Sequence, residues 1–345
     1  MNYEQFQHPH KNIFLVTMTK ELNPFFSEIA LQWIKKYLIA GKRIALIVNK
    51  KWYSAWVFCR DCWHVPQCKH CSVSIRYHKI ISGETIWLCH ICKNQYPAPL
   101  SCPECWSKNI TEYGIGTQKI AEYLEKEFWK QPLIIESETV WSSKKVQALK
   151  KEMEQYQLFV WTSLLTQPPA VPVDLVVFLN ADLWLNIPDY TSAEKNFLFL
   201  YEAFLQYPCK NFIVQSFAPQ HYSIRNACRL DKDAFLQADH TFRKNNNYPP
   251  FADICVLLYK NEIEETVFNK VDKLYKELLY LKEKYGLVDL EIYSTPPLVY
   301  KMFWKYRYNI ILKWKDLRNF MDIVYSKLHL IAKWFKVDRA AESIV

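Results

Sequence analysis

Apolar residues recur along this chain in two rhythms that take turns. Residues 12–18 (NIFLVTM) form a short apolar run of strand length. Phe26, Ile29, Ala30, Trp33 and Tyr37 follow at helical spacing, with Asn23–Pro24 as the expected N-cap and first helical position and Gly41 as the stop. Residues 42–49 (KRIALIVN) are apolar almost throughout, which predicts a strand buried on both faces. The alternation then pauses for a cysteine-rich stretch and resumes. It predicts strands at 111–115, 133–136, 158–162, 174–179 and 212–216, with helices over 118–129, 143–156 and 191–206. Strands alternating with helices of this length imply a parallel sheet covered on both sides, so residues 1–57 and 108–247 form one α/β domain interrupted by residues 58–107.

The tail reads differently. Tyr248-Pro249-Pro250-Phe251 marks a boundary, because a residue before proline is biased out of the helix. Beyond it the pattern predicts a strand (253–260) and a long helix (262–285) with Val267, Val271, Leu274, Leu278 and Leu281 facing inward. Strands near 289–300 and 306–313, a helix at 316–330 and a last strand at 334–338 follow. That βαββαβ order predicts a ferredoxin-like α+β domain over residues 248–345.

The interrupting stretch carries the strongest chemical signal. Cys59, Cys62, Cys68, Cys71, Cys89, Cys92, Cys102 and Cys105 are spaced C-x2-C-x5-C-x2-C-x17-C-x2-C-x9-C-x2-C. Each C-x2-C turn places two thiolates on one lip of a tetrahedron, and two turns close it around zinc with Zn–S bonds of about 2.3 Å. Four turns predict two structural zinc ions with no open position for a catalytic water. Disulfides or a redox pair are the alternatives, disfavoured by the tandem arrangement and by the lack of a secretory segment. A hairpin between the central knuckles would pair Cys68 and Cys71 with Cys89 and Cys92, leaving Cys59 and Cys62 to join Cys102 and Cys105. Sequential pairing leaves only five residues between knuckles, which is cramped.

Composition sharpens this picture. Half the residues are apolar, enough for true cores, and the net charge of +9 is compatible with a polyanionic partner. The polar start MNYEQFQHPHK has no apolar signal core, and no run approaches a membrane span, so a cytoplasmic location without membrane contact is expected. Glycine occurs 5 times, where average usage of about 7% predicts roughly 24, while tryptophan occurs 13 times. Trp63 and Trp106 each follow the second cysteine of a knuckle, a turn that often needs positive φ. Trp52, Trp161, Trp184, Trp304 and Trp314 are expected in turns or at strand edges. This distribution is the one expected if many of these codons are UGA, which some bacterial lineages read as glycine.

Other chemistry is sparse. The phosphate-cradling pattern G-x4-G-K-[ST] is absent, even with every tryptophan read as glycine. GIGTQ precedes a helix and could meet a phosphate, or could be a plain strand–helix turn. Asp182, Asp189 and Glu194 follow a strand end, where capping and turn roles compete with catalysis. Cys209, Cys228 and Cys255 are expected as core thiols. In YKMFWKYRYNIILKWKDLR (300–318), Lys301, Lys305, Arg307, Lys313, Lys315 and Arg318 interleave with Tyr300, Phe303, Tyr306 and Tyr308. Cations that meet phosphates and rings that stack on bases make this the candidate nucleic-acid face, against a solvated strand pair as the alternative.

The cysteine framework, NKKWYSAWVFCRDC before it and SCPECWSKNITEYGIGTQ after it resemble the primosomal replication-restart DNA helicase family (PriA, primosomal protein N′). NADLWLNIPDYTSAEKNF, VQSFAPQH, NYPPF and FWKYRYNIILKWKDL add to the resemblance. It covers nearly the whole chain but only the C-terminal half of a full member. Trp63, Trp106, Trp161, Trp184, Trp304 and Trp314 fall where that family has glycine. The resemblance implies a RecA-like second helicase lobe carrying the two-zinc insert, with the family's C-terminal domain behind. It also implies the crossed pairing: Cys59, Cys62, Cys102 and Cys105 on one zinc, Cys68, Cys71, Cys89 and Cys92 on the other. Partners implied are branched or single-stranded DNA at replication forks, primosome proteins and single-strand-binding protein. The family's P-loop and metal-binding acid box lie in its first lobe, which has no counterpart in this sequence. LLTQPPAVPVD stands where the family has a Lys-Gly-His-Asp-Phe element, and no arginine lies between Tyr190 and Ile224, where arginine fingers belong. Lysine is not an equivalent fork, so no catalytic residue is assigned and bound ATP is not expected. The expectation is therefore a replication-restart protein without autonomous helicase activity. Half of a split ATP-dependent helicase is the alternative, and a zinc-stabilised interaction scaffold a second.

Overall fold

The computed structural model describes residues 3–23, 25–48, 56–59, 61–62, 76–79, 85–88, 94–97, 101–113, 117–135, 143–162, 171–182, 184–186, 189–297, 299–327 and 335–338. They fall into two compact units. The first comprises residues 1–54, 114–188 and 192–239, the second residues 55–113, 189–191 and 240–345.

The chain opens with β1 (Tyr3–His8) and β2 (Lys11–Thr17), then α1 (Glu28–Ile39) and β3 (Ile44–Val48). The cysteine-rich stretch holds β4 (Trp56–Cys59), β5 (Arg76–Lys79), β6 (Thr85–Leu88), β7 (Gln95–Pro97) and β8 (Ile110–Tyr113). The first unit resumes with α2 (Thr117–Phe128), β9 (Leu133–Ile135), α3 (Ser143–Met153), β10 (Leu158–Thr162), β11 (Leu175–Phe178), α4 (Ser192–Gln206), β12 (Asn211–Ser216) and α5 (Tyr222–Cys228). Helix α6 (Lys232–Asn245) leads to β13 (Asp253–Asn261), α7 (Glu264–Lys284), β14 (Glu291–Thr295), β15 (Lys301–Met302), β16 (Lys305–Trp314), α8 (Leu317–Lys327) and β17 (Lys336–Asp338).

In the first unit seven strands form one sheet in the order β1-β2-β12-β11-β3-β10-β9, parallel except for β1. Period-two alternation sorts its side chains into two cores. Phe14, Ile44, Leu46, Val160 and Val177 point to one face, where Ala30 and Ile34 of α1 and Ile120 and Leu124 of α2 cover them. Ile13, Leu15, Ile47, Phe159, Val176 and Phe212 point to the other, beneath Phe197, Leu200 and Phe204 of α4 and Ile224 of α5. Each such side chain contributes about 1.5–3 kcal/mol when fully buried, and β3 and β11 at the middle of the sheet contain no polar residue.

Local structure departs from the apolar pattern at the start of the chain. The N-terminal stretch is a strand of the sheet, because Tyr3 to His8 pairs antiparallel with β2, and Glu4 on it takes a bidentate ion pair from Arg225 at 2.8 and 2.9 Å. Helix α1 begins at Glu28, with the Ser27 hydroxyl accepting from the Ala30 N–H. Asn23 instead caps a preceding turn, accepting from the N–H groups of Phe25 and Phe26 at 2.8 and 3.0 Å.

In the second unit the short strands form a sheet ordered β7-β6-β5-β4-β8. The strand expected near 111–115 is β8, and it pairs with β4 of this sheet. The tail forms a sheet ordered β14-β16-β13-β17, with β15 as a hairpin arm on β16. All its pairings are antiparallel. Val267, Val271, Leu274, Leu278 and Leu281 of α7 are buried, as their spacing predicts, against Leu257, Ile310 and Leu312. Gly286 ends α7 at a φ of 62°, in the left-handed region that glycine tolerates best.

Candidate metal centre and nucleic-acid face

Cys59 is the last residue of β4 and Cys62 lies in the turn beyond it, while Cys102 and Cys105 lie in the turn that precedes β8. Because β4 pairs with β8, with Cys59 opposite Ile110, the two knuckles meet. The four sulfurs lie within 4.8 Å of one another. Cys59 Sγ is 3.5 Å from Cys105 Sγ, and Cys62 Sγ is 3.6 Å from Cys102 Sγ. A tetrahedron of sulfurs about 2.3 Å from a central zinc has edges of about 3.8 Å, whereas a disulfide requires about 2.05 Å. The arrangement suits a tetrahedral thiolate site, and it could hold a metal ion.

The surroundings favour thiolate at Cys59. Burial alone would push Cys59 up, but the backbone N–H groups of Cys62 and Asp61 and the neighbouring thiols of Cys105 and Cys62 outweigh it and bring it down to about 7. Cys105 moves the other way. The Ser107 N–H lowers it, but burial and the contacts with Cys59 and Cys102 prevail, as expected when neighbouring thiols share one negative charge. Cys59 and Cys102 are almost wholly buried, whereas Cys62 and Cys105 face outward.

Asp61, Ser107 and Asn109 complete the centre, and no motif spacing singles them out. The Asp61 carboxylate accepts from the Ser107 hydroxyl and from Asn109 Nδ2 at 3.1 and 3.2 Å, tying one knuckle to the other. Those hydrogen bonds hold its carboxyl below its ordinary value. The only prior signal was the polar run after Cys105. Cys68, Cys71, Cys89 and Cys92 lie outside the described residues; between them β5 and β6 pair antiparallel, with Arg76 opposite Leu88.

The tail's cations divide into two kinds. Lys305 and Arg318 are exposed, as is Lys315. Lys305 is 3.9 Å from Glu262, a loose surface contact. Lys301 is half-buried, with its ammonium 3.1 Å from the Tyr306 hydroxyl and lying over that ring. Arg307 is half-buried too. Desolvation lowers its pKa, and it donates to the Val299 carbonyl at 3.4 Å. Lys313 is committed internally: it pairs with Glu291 at 2.8 Å, donates to the Asn246 carbonyl at 2.8 Å and covers the Tyr248 ring. The aromatic members are similarly engaged. Tyr306 and Tyr308 pack on the core and Tyr300 sits edge-on against both, leaving Phe303 and Trp304 exposed at the hairpin tip.

The acidic residues beyond β11 serve the fold. Asp182 is buried and accepts from the Ser216 hydroxyl, the Phe217 N–H and the Ala218 N–H at 2.6, 2.6 and 3.3 Å. Asp189 accepts from the Thr191 N–H and hydroxyl, both at 3.1 Å, within a turn. Cys209, Cys228 and Cys255 are buried.

No family model matches this chain. Among curated proteins it is similar to replication restart protein PriA of Bacillus subtilis, at 31% identity over 88% of the chain and 38% of that protein. It is also similar to proteins of the same name from Chlamydia trachomatis and Synechocystis. Both are 30% identical, over 72% and 78% of the chain and 35% and 33% of their own length. The chain thus spans well under half the length of these relatives.

Proposed function

The chain belongs to the replication restart protein PriA family, of whose members it matches a part, and from that premise we propose that it is a DNA-binding factor in the restart of stalled replication forks and in primosome assembly. The observation that carries the reading is the match to the Bacillus protein across 88% of the chain. In this reading the first unit is the second of two RecA-like helicase lobes, and the six parallel strands under two helical layers support it. The cysteine sheet is a two-zinc insert. Cys59, Cys62, Cys102 and Cys105 hold one ion, a set supported by their four sulfurs lying within 4.8 Å of one another. Cys68, Cys71, Cys89 and Cys92 hold the other. The zinc ions serve structure, since four thiolates fill every position and leave none for a reacting water.

The chain has no nucleotide turnover of its own. Hydrolysis needs a guanidinium to stabilise the transferring phosphate, an effect of about 10³–10⁵ in rate. No arginine lies between Tyr190 and Ile224, and the next one, Arg225, is held by Glu4. DNA binds through phosphate contacts from Lys305, Lys315 and Arg318, the three exposed cations of the six in this stretch. Primosome proteins and single-strand-binding protein are the protein partners, by family relation.

Fluorescence anisotropy with forked and single-stranded oligonucleotides tests the reading. Association that weakens steeply with salt, and weakens again in a Lys305→Ala/Arg318→Ala variant, is expected. Absence of binding at low salt overturns it in favour of a protein-interaction scaffold. A second reading is half of a split helicase completed by a separate first lobe. DNA-stimulated ATP hydrolysis on mixing with a P-loop-bearing partner chain would establish that instead.

A further inference from the structure

Among the described residues, six that are not glycine have positive φ: Trp106 (59°), Trp129 (55°), Leu230 (54°), Asn247 (51°), Phe303 (49°) and Trp304 (68°). Tryptophan supplies 13 of 345 residues but three of these six, although a bulky side chain is among the worst tenants of that region. We infer that Trp106, Trp129, Trp161, Trp184 and Trp304 stand at positions where the protein made in its own cell carries glycine, encoded by UGA.

Each of the three strained sites has a backbone that calls for glycine. Trp129 follows the last residue of α2 and donates its N–H to the Glu125 carbonyl at 2.9 Å. Gly41 and Gly286, the two described glycines, turn the chain out of α1 and α7 in the same left-handed region one residue further on, at φ of 71° and 62°. Trp106 closes the second knuckle, its N–H donating to the Cys102 carbonyl at 2.9 Å. Trp304 is the second residue of a two-residue hairpin loop, since Met302 pairs with Lys305. Positive φ at both Phe303 and Trp304 describes the turn that favours Asn-Gly or Asp-Gly. Nor do these indoles gain from burial, being 78%, 90% and 55% exposed for Trp106, Trp129 and Trp304.

Trp161 and Trp184 fail in the opposite way. Four buried side-chain polar atoms of the described residues have no hydrogen-bond partner, and two of them are the Nε1 atoms of Trp161 and Trp184. A third is the Tyr207 hydroxyl, whose ring meets Trp161 edge-on at 6.4 Å. An indole N–H normally finds an acceptor when buried. Trp161 lies inside β10 rather than in a turn, so the signature there is chemical, not conformational. Trp33 provides the contrast. It sits on α1, packs at a tilt against Phe14 at 4.7 Å, stacks with Tyr37 at 5.7 Å, and behaves as a tryptophan chosen for its ring.

The test reads the gene and the native protein together, and its outcome is independent of DNA binding. UGA is expected at 106, 129, 161, 184 and 304 and UGG at 33, with glycine in the corresponding peptides of the cell-derived protein by mass spectrometry. UGG codons at 106, 129 and 304, or tryptophan in those native peptides, overturn the inference. A stability series on the chain as written gives a second readout. Trp106→Gly, Trp129→Gly and Trp304→Gly should each raise the folded-to-unfolded ratio about tenfold, whereas Trp33→Gly should lower it. A fall at all three exposed sites counts against the proposal.

Discussion

Replacing Cys102 with serine probes the joint between sulfur geometry and folding. Cys102 is 1% exposed, and its sulfur stands 3.6 Å from that of Cys62, inside the cluster of four. Apart from a metal, the described links between the knuckles are the β4–β8 ladder and the hydrogen bonds that Asp61 accepts from Ser107 and Asn109. Those hydrogen bonds lie open to solvent, which competes for both partners, so they hold the knuckles together only weakly. A structural zinc in a four-thiolate site contributes about 10–16 kcal/mol at neutral pH, as much as the whole net stability of a domain. Loss of the ion should therefore open the strand pair rather than loosen it. Elemental analysis of Cys102→Ser should show one metal equivalent fewer per chain. Cys59, Cys62 and Cys105 should then alkylate rapidly, while the buried Cys209, Cys228 and Cys255 stay slow. Cys209→Ser should leave metal content unchanged. Unaltered metal content in Cys102→Ser, or equally fast alkylation before and after chelation, would refute the reasoning.

Three further outcomes follow from contacts elsewhere. Asp182→Ala strands the Ser216 hydroxyl and the N–H groups of Phe217 and Ala218, and should cost about 3 kcal/mol, read as a lower urea midpoint with unchanged slope. Glu291→Gln leaves the buried Lys313 ammonium without its counter-charge and should cost about 3 kcal/mol by the same measurement. Burial alone would raise Glu291, but Lys313, Tyr293 and Asn247 outweigh it, and the carboxyl lies below its ordinary value. Its contribution is therefore complete above the usual carboxylate range and fades as pH falls through the depressed value; a wild-type advantage over Glu291→Gln that persists undiminished in strong acid would contradict this. Lys313→Ala should lower thermal stability while leaving the salt dependence of DNA binding intact, whereas Lys305→Ala should do the reverse, reducing the salt slope by about one. If the two variants behave alike, the division of the basic stretch into committed and available cations is wrong.

The apolar rhythm determined most of the architecture on its own. Runs such as IALIV at 44–48 and LVVF at 175–178 have the length and β-branched content of strands buried on both faces, and the stripe from Val267 to Leu281 has the spacing of one side of a helix. The cysteine spacing likewise pointed to metal chemistry, because four C-x2-C turns in tandem suit four-thiolate sites better than a redox pair. Tertiary structure decided what depends on partners distant in sequence. Tyr3 to His8 looks polar and loop-like, and it becomes a strand because β2 offers an edge and Arg225 a counter-charge. Ile110 to Tyr113 carries no mark of its sheet, and its pairing with β4 is what brings Cys59 and Cys62 to Cys102 and Cys105. The basic stretch shows the limit most plainly. Lys305 and Lys313 are the same residue type on one face of one strand, yet one meets solvent while the other neutralises Glu291. Spacing places a side chain on a face, but only the opposing surface settles whether its charge is spent inside the protein or left for a phosphate.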